Sequence, residues 1–416
     1  MTSTVILIAP AEQAPSSGAW ADWQQAGPRY VMAKALAGER AYWWPHIQRE
    51  LFGDGIQAGR SVAHSNARLQ LETRDAITEI RVDLLEHVWV RLGPAVQVGI
   101  ALVHLQLDCP SERLVGVIHA LREPLVRDAR LSLITDGPPV RLGPSRPGLA
   151  AIGHLIDSVS PQGWLYTLSV ARPPRAVDAI RRPQEQREWA RALARATTPQ
   201  KAAEAITRDP DKARRLELPL GPHLITVLGR GAGIALADRL PRDLAATQRY
   251  ARSYWAEAVG FGILQLLALQ RIAERMGALA GDPASRHELD DIHEEWLAFR
   301  QRLWWSSLSA QTAVPGEILV RFHAESPSRQ LFDDLTADME TFVTRRAAQR
   351  ARDQERALVR LQTGGAGLAS AGVVAAALAV GLQNVDLSVA WRIGIPVAIL
   401  AIAALVSWAT ARVLRH

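Results

Sequence analysis

The sequence predicts an α/β cytoplasmic domain followed by a helical region, a long stalk helix and a C-terminal two-helix transmembrane hairpin. Three observations support this fold class: period-two alternation early in the chain, apolar residues three and four apart after it, and two charge-free segments near the end. With 416 residues the chain is too long for one simple core. The predicted divisions are 1–240 (α/β domain), 241–325 (helical region), 326–363 (stalk helix) and 364–416 (transmembrane hairpin with a short basic tail).

The α/β domain is predicted from strand patterns separated by turn residues. Residues 77–92 and "VQVGIALVHLQLD" (96–108) alternate apolar and polar residues, and Gly93-Pro94 between them indicates a hairpin. "SERLVGVIHALRE" (111–123) has one apolar helical face and Ser111 as a candidate N-cap. Further strands are expected at 4–9, 164–172 and 223–229.

The helical region has apolar stripes at helical spacing. The stripe in its second helix consists of Leu289, Ile292, Trp296, Phe299 and Leu303. The opening "MTSTVILIAP" lacks the basic and long apolar parts of a secretory signal and looks like the first strand of a cytosolic domain. The single cysteine, Cys109, fits a reducing compartment and excludes an internal disulfide framework.

The stalk helix is predicted to begin at Ser326-Pro327, a good N-cap followed by proline at the first helical position. No proline or glycine follows before Gly364, so the helix would be roughly 55 Å long. Its last part is rich in arginine, which fits either nucleic acid or anionic lipid headgroups. Its place beside the apolar tail favours lipid, at about 1 kcal/mol per basic residue near the surface, and makes nucleic acid the weaker hypothesis. The basic collar predicted here consists of Arg350, Arg352, Arg356 and Arg360.

The C-terminal hairpin is predicted from two segments without charge, 361–385 and 393–411, each long enough for the roughly 20 residues of a bilayer span. Only the short turn "QNVDLS" lies between the two spans, and arginines flank both outer ends of the hairpin. By the positive-inside rule, both termini are expected in the cytoplasm of a bacterium, with the hairpin in its inner membrane. The alternative is a buried helical hairpin in a soluble protein.

The first predicted span is unusual because it is built from small residues. Every fourth residue is small, and this row consists of Thr363, Gly367, Ala371, Ala375 and Ala379. Membrane helices associate through small faces that allow close backbone approach, because lipid provides no hydrophobic drive. This span therefore indicates a homo-oligomer in contact with membrane lipids. The alternative is that the row packs against the second span of its own chain.

The order of elements resembles the CorA-type magnesium channel/transporter family, most closely in "RALVRLQTGG…VGLQN…WRIGIP…ARVLRH" at the C-terminus. The resemblance implies a cytoplasmic α/β domain, a stalk helix that continues into the first span, and a pentamer. It also implies that the first span lines the pore, which would make the small-residue row pore-lining. In that family a Gly-Met-Asn motif at the outer end of this span selects hydrated magnesium.

This chain departs from the family at that motif and is at most a divergent member. Gly381-Leu382-Gln383-Asn384 stands there instead, so glycine and asparagine are two residues apart. The amide oxygens of Gln383 and Asn384 would still suit a hydrated divalent cation such as magnesium, and Asp386 would add a ring of negative charge. The alternative is that all of them are polar turn residues at the water interface.

Two other motifs have both a functional and a structural interpretation. "GRGAGIALAD" (229–238) resembles a dinucleotide loop but has Ile234 at the last glycine position, which favours a strand-to-helix turn. "HELDDIHEEW" (287–296) places His287, Asp291 and Glu294, with Glu295, on one helical face. That face is either a weak metal site or an exposed acidic surface.

Two functions follow as expectations. The first is a CorA-like channel whose cation pathway is gated by the cytoplasmic domain. The second is a membrane-permeabilising effector of a bacterial defence or stress system, triggered by a small molecule or nucleotide bound to that domain. A membrane-tethered enzyme is a third alternative, but no P-loop, zinc spacing or hydrolase motif supports it, so the chain is not expected to be an enzyme or to hold a cofactor beyond a divalent cation.

Overall fold

The structure is a computed structural model in which the conformation of most of the first 382 residues is described. The described ranges are 2–11, 24–25, 46–47, 58–74, 76–124, 129–144, 146–156, 159, 163–172, 183–220, 223–236, 247–279, 286–305, 307–309 and 312–382. Over 363–382 the description concerns the course of the backbone. The chain divides into two compact units, Met1–Leu335 and Thr336–His416.

A mixed sheet forms the centre of the first unit. Its strands are β1 (Thr2–Ala11), β2 (Gln24–Gln25), β3 (Ala58–His64), β4 (Arg68–Glu72), β5 (Ile77–Arg91), β6 (Gln97–Asp108), β7 (Arg130–Ile134), β8 (Val140–Arg141), β9 (Tyr166–Ala171), β10 (Glu217–Leu220), β11 (His223–Leu228) and β12 (Gly231–Ala235). The main path runs β10-β11-β12-β9-β1-β6-β5-β4-β7-β8. β9 and β12 pair in parallel, and the other described pairs are antiparallel.

The long strand β5 organises one half of the sheet. Its N-terminal part pairs with β4 and its C-terminal part with β3, while β6 pairs along its other edge. A bulge between Val82 and Leu84 separates the two parts. Because a bulge bends the strand locally, β5 can serve two partners on the same edge. The predicted hairpin of the strands at 77–92 and 96–108 is confirmed.

Helices cover both faces of the sheet. The helices before the last hairpin are α1 (Ser111–Arg122), α2 (Pro147–Leu155), α3 (Pro183–Arg195), α4 (Pro199–Arg208) and α5 (Pro210–Leu216). α1, α2 and α3 pack with Leu7 and Ala9 in one buried apolar cluster. Pro110, not the predicted Ser111, is the N-cap of α1, and its side chain makes no capping hydrogen bond.

The opposite face is covered by helices from the second half of the unit. These are α6 (Ala256–Leu279), α7 (Arg286–Arg302) and α8 (Val314–Glu325), and a π-helical turn, Ala251–Trp255, precedes α6. α6 approaches the sheet closely, since a Cβ on Gly260 would lie 2.8 Å from the Ile100 side chain. α8 reaches β9 through Phe322, whose ring centroid is 5.9 Å from that of Tyr166. The first unit is therefore a helix–sheet–helix arrangement.

One helix among the described residues, Thr247–Leu279, is long and apolar enough to cross a membrane. Its most apolar window is 78% buried inside the protein. Contact with the sheet and neighbouring helices therefore accounts for its hydropathy, because a core helix is apolar on most sides.

The last described helix, α9 (Ser328–Leu382), has 55 residues and measures about 82 Å at 1.5 Å per residue. It begins one residue after Pro327, close to the predicted start. It does not end at Gly364, and the second predicted span, 393–411, lies outside the described residues. The mixed-sheet domain followed by helices, including a long one, is confirmed.

Candidate functional site

A cluster of aromatic rings anchors the base of α9. The ring of Phe332 stacks on Trp304, with centroids 4.1 Å apart and planes 7° apart, and its centroid lies 5.2 Å from that of Trp296. Trp296 and Phe299 belong to the predicted stripe and are buried, as are Ile292 and Leu303. Aromatic pairs at such distances add to the stabilisation from burial. The first turn of the long helix is therefore fixed to the other helices of the first unit.

A buried polar chain connects α6 to this aromatic cluster. Gln265 is fully buried, and its Nε2 donates to the carbonyl oxygen of Leu303 at 2.6 Å. Its Oε1 lies 2.7 Å from His323 Nε2, and the His323 ring stacks on Trp304 at 5.0 Å. Burial, assisted by the nearby Arg329 charge, lowers the pKa of His323 from 6.5 to about 4. The ring is therefore neutral at pH 7, and its Nε2–H donates to Gln265 because an amide oxygen can only accept.

The arginine collar, defined as Arg350, Arg352, Arg356 and Arg360, lies on α9 with all four side chains exposed. Arg356 Nη1 is 3.7 Å from Asp353 Oδ1, and both side chains are mostly exposed. Exposed ion pairs of this kind contribute only about 0–1 kcal/mol. The collar therefore presents its positive charge to the surroundings of the helix.

Aliphatic side chains around the last arginine of the collar are also exposed. The exposed fractions of Leu358, Val359 and Leu361 are 59%, 54% and 72%. Apolar surface in water is unfavourable by about 25 cal/mol per Å². This turn of α9 is therefore suited to contact with another apolar surface.

The predicted small-residue row lies on the uninterrupted C-terminal part of α9. The row consists of Thr363, Gly367, Ala371, Ala375 and Ala379. They are four residues apart in helical conformation, so successive members are neighbours on the helix surface. Gly381 is in the last turn of the same helix. The predicted mouth residues Gln383, Asn384 and Asp386 lie outside the described residues.

The predicted metal-binding face lies on α7. Asp291 and Glu294 are exposed, and the side chain of His287 lies outside what the structure describes. Glu295 departs from the prediction of an exposed acidic face because it is 1% exposed and forms an ion pair with Arg275. It also accepts a hydrogen bond from the Ala95 backbone N–H at 3.3 Å. Glu295 thus secures the β5–β6 turn, and no group of three metal-ligating side chains occurs in the part of the chain that the structure describes.

The glycine-rich motif is not the predicted strand-to-helix turn. Gly229 and Arg230 form the two-residue turn of the β11–β12 hairpin, and Gly231 and Gly233 lie within β12. A Cβ on Gly233 would lie 2.1 Å from the carbonyl oxygen of Ala190 on α3. Glycine is therefore needed here because the backbone of α3 lies directly on the strand.

A buried charged cluster was not anticipated from the sequence. Arg60 on β3 donates through Nη2 to Glu86 Oε2 at 2.7 Å and through Nη1 to Glu257 Oε1 at 3.0 Å. His104 Nε2 lies 2.5 Å from Glu86 Oε1, and all four side chains are buried. The sequence contained one indication of this cluster. Glu86 and His104 stand at positions of the predicted hairpin strands where the alternation calls for apolar residues. The cluster links the sheet to α6 at the turn after the π-helical segment.

In comparisons with protein-family models, curated proteins and solved structures, no match to the chain was found. The resemblance to CorA-type channels therefore stays a prediction from the sequence.

Proposed function

We propose that the protein is a CorA-like homo-oligomeric channel of the bacterial inner membrane. Its cation pathway would be formed by the C-terminal part of α9 and controlled by the first unit in the cytoplasm. The observation that carries this proposal is the continuity of α9, which begins in an aromatic cluster and runs without a break into the charge-free segment. Its length of about 82 Å exceeds the roughly 30 Å of bilayer hydrocarbon. One continuous helix would thus connect the folded unit to the membrane.

Assembly is proposed from the composition of the helix. The small-residue row is a poor surface for lipid and a good one for another helix. The exposed side chains of Leu358 and Leu361, just before this row, would gain from contact between neighbouring copies. A pentamer is the assembly that the CorA resemblance implies.

The arginine collar is proposed as an electrostatic gate. In an assembly around an axis, the collars of all copies would stand next to one another at the inner entrance. The positive potential would lower the local concentration of cations and bias the resting pathway against them. Anionic headgroups would attract the outward-facing arginines and fix the height of the helix in the membrane.

Planar-bilayer recordings of the purified protein test this function. The triple variant Arg350→Gln, Arg352→Gln and Arg356→Gln should conduct cations better than the wild type, because it removes three charges per copy. We expect a several-fold rise in conductance at low salt and a smaller rise at high salt, since salt screens the field.

The matched control neutralises three exposed arginines of the first unit, Arg208, Arg214 and Arg215. Arg214 is paired with Asp211 at 3.8 Å, much as Arg356 is paired with Asp353. The control removes the same charge away from α9 and should leave conductance unchanged. Absence of any current in the wild type and the collar variant would refute the channel, and equal currents would refute the gate.

The permeant ion is proposed to be a divalent cation such as magnesium. Gln383 and Asn384 would offer amide oxygens to a hydrated ion, and Asp386 would raise its concentration at the outer mouth. Asp386→Asn should therefore reduce inward cation flux at low salt. Equal flux in both proteins would show that the carboxylate has no part in attracting the ion.

A second candidate function is a membrane-permeabilising effector of a defence or stress system. The sequence observation that favours it is the missing Gly-Met-Asn motif, because an effector that depolarises the cell needs little ion selectivity. Expression in a magnesium-transporter-null strain separates the two. Growth in low magnesium supports transport, whereas growth arrest on induction with loss of membrane potential supports the effector.

A further inference from the structure

A cavity in the first unit gathers three arginines from three separate elements. It has a volume of about 280 Å³, and its lining includes Arg122 at the end of α1, Arg146 before α2 and Arg230 in the β11–β12 turn. Trp164, half-buried before β9, and Glu123 also line it. This volume is near the lower end of ligand pockets, which start at about 300 Å³, so the cavity suits a compact ligand.

Arg122 is held in place by the protein. Its Nη1 donates to the carbonyl oxygen of Ala194 at 2.8 Å and lies 3.5 Å from Thr167 Oγ1. A Cβ on Gly231 would lie 2.9 Å from the same Nη1, so the glycine leaves room for the guanidinium. The remaining N–H groups of Arg122 make no hydrogen bond to any described protein atom and are available on the cavity side.

The other two arginines approach from different directions. Arg146 has a left-handed backbone conformation, with φ of 50°, and its Nη1 donates to the Gly163 carbonyl oxygen at 2.8 Å. That bond ties the start of α2 to the segment that carries Trp164. Arg230 is exposed and has no acidic partner within ion-pair distance among the described residues.

The charged groups around the cavity act on one another. Burial is the main cause that lowers the pKa of Arg122, and the nearby positive charge of Arg230 lowers it further. Glu123 acts in the opposite direction on Arg122, but among the described residues it forms no ion pair with Arg122 or Arg230. Guanidinium groups brought together in this way repel one another, and a bound oxyanion would remove the repulsion through charge-assisted hydrogen bonds.

We propose that this cavity binds a small phosphorylated ligand, with its phosphate on Arg122, Arg146 and Arg230 and a planar ring against the indole of Trp164. Arginine is the side chain best suited to phosphate because its planar N–H groups bind two oxygens at once. An indole face next to cationic groups favours an aromatic ring of limited size, which makes a nucleoside monophosphate the best-fitting class. This proposal does not rest on the channel function, and its test measures ligand binding and not ion current.

The test uses the full-length protein in detergent and three probes: AMP, ribose 5-phosphate, which lacks the base, and adenosine, which lacks the phosphate. Isothermal titration calorimetry should show saturable binding of AMP, weaker binding of ribose 5-phosphate and little binding of adenosine. Arg230→Gln should weaken AMP binding at least tenfold. The Arg230 side chain makes no hydrogen bond or ion pair with the described part of the protein, and its backbone bond to Thr167 N–H is kept in the variant. This variant therefore keeps the test valid even if Arg122→Gln fails to fold.

Two further variants separate the parts of the site. Arg141→Gln removes an exposed arginine on β8, outside the cavity, and should bind AMP like the wild type. Trp164→Leu should weaken AMP binding several-fold and leave ribose 5-phosphate unchanged. The proposal is overturned if neither phosphate probe binds, if adenosine binds as well as AMP, or if Arg230→Gln binds AMP like the wild type. Equal binding of AMP and ribose 5-phosphate would overturn the role of Trp164.

Discussion

Replacing His323 with phenylalanine should remove a large part of the protein's loss of stability in mild acid. The folded pKa of His323 is about 4, whereas an exposed imidazole has a pKa of 6.5. Between these values the unfolded chain binds more protons than the folded one. The free energy of unfolding therefore falls as the pH is lowered, by up to about 1.4 kcal/mol per pH unit.

Integrated from pH 7 to pH 5, this difference in proton binding lowers the free energy of unfolding by about 2 kcal/mol for His323. His87 is fully buried and its pKa is likewise lowered to about 4 by burial, so it contributes a similar amount. The wild type should thus lose about 4 kcal/mol over this range from the two histidines. His323→Phe should lose about 2 kcal/mol from them, because only His87 remains.

The same substitution has an opposite effect at neutral pH. Phenylalanine keeps a ring against Trp304 but cannot donate to Gln265, whose buried Oε1 then lacks its partner. An unsatisfied buried acceptor costs about 1–3 kcal/mol. The variant should therefore be less stable than the wild type at pH 7, and the two should approach equal stability near pH 5.

Urea unfolding of the full-length protein in detergent, followed by tryptophan fluorescence at pH 5, 6 and 7, measures these differences. The carboxylates titrate in both proteins, so the comparison between wild type and variant isolates the imidazole. His119→Phe, at an exposed position, controls for the loss of a histidine. Parallel pH dependences of the wild type and His323→Phe would refute the proposed neutral, buried state of His323.

Three further predictions concern packing and buried charge, each measured as a change in the urea midpoint. Gly233→Ala should destabilise the first unit by about 1–3 kcal/mol through overpacking, whereas Gly116→Ala, which meets no atom within 4 Å, should be neutral or slightly stabilising because alanine favours a helix. Arg60→Leu should cost about 3–5 kcal/mol because it leaves two buried carboxylates without their cation, while Arg68→Leu at an exposed pair should cost at most about 1 kcal/mol. Phe332 is half-buried, so Phe332→Ala should cost about 1.5–3 kcal/mol and increase proteolysis at the start of α9; an unchanged midpoint would show that the aromatic cluster does not anchor that helix.

Local sequence patterns predicted strands and helices well where burial of one face, or the position of a proline, decided the local structure. The first half of the strand at 77–92 alternates because only one of its faces is buried, and the hairpin followed from Gly93-Pro94. The rest of that strand and the strand at 96–108 are buried on both faces. The stripe through Trp296 and Phe299 marked the buried face of α7. The start of α9 was visible because proline is common at the beginning of helices, and Pro327 lies one residue before the first helical residue.

The same local logic failed where long-range contacts decided the outcome. Glu295 looked like part of an acidic surface, but the β5–β6 turn lies against it. Gly233 looked like part of a flexible turn, but its strand contacts the backbone of α3.

The sequence by itself determined the strands and helices with a clear apolar period, such as the hairpin strands and the helix at 111–123, and where charge gives way to a long apolar segment. These features depend on residue periodicity and composition, which are local. The tertiary structure alone decided that Arg60, Glu86 and Glu257 form one buried cluster and that Arg122 and Arg230 line one cavity. Residues tens to hundreds of positions apart meet only when strands and helices pack, and the spacing of side chains along a chain does not contain that information.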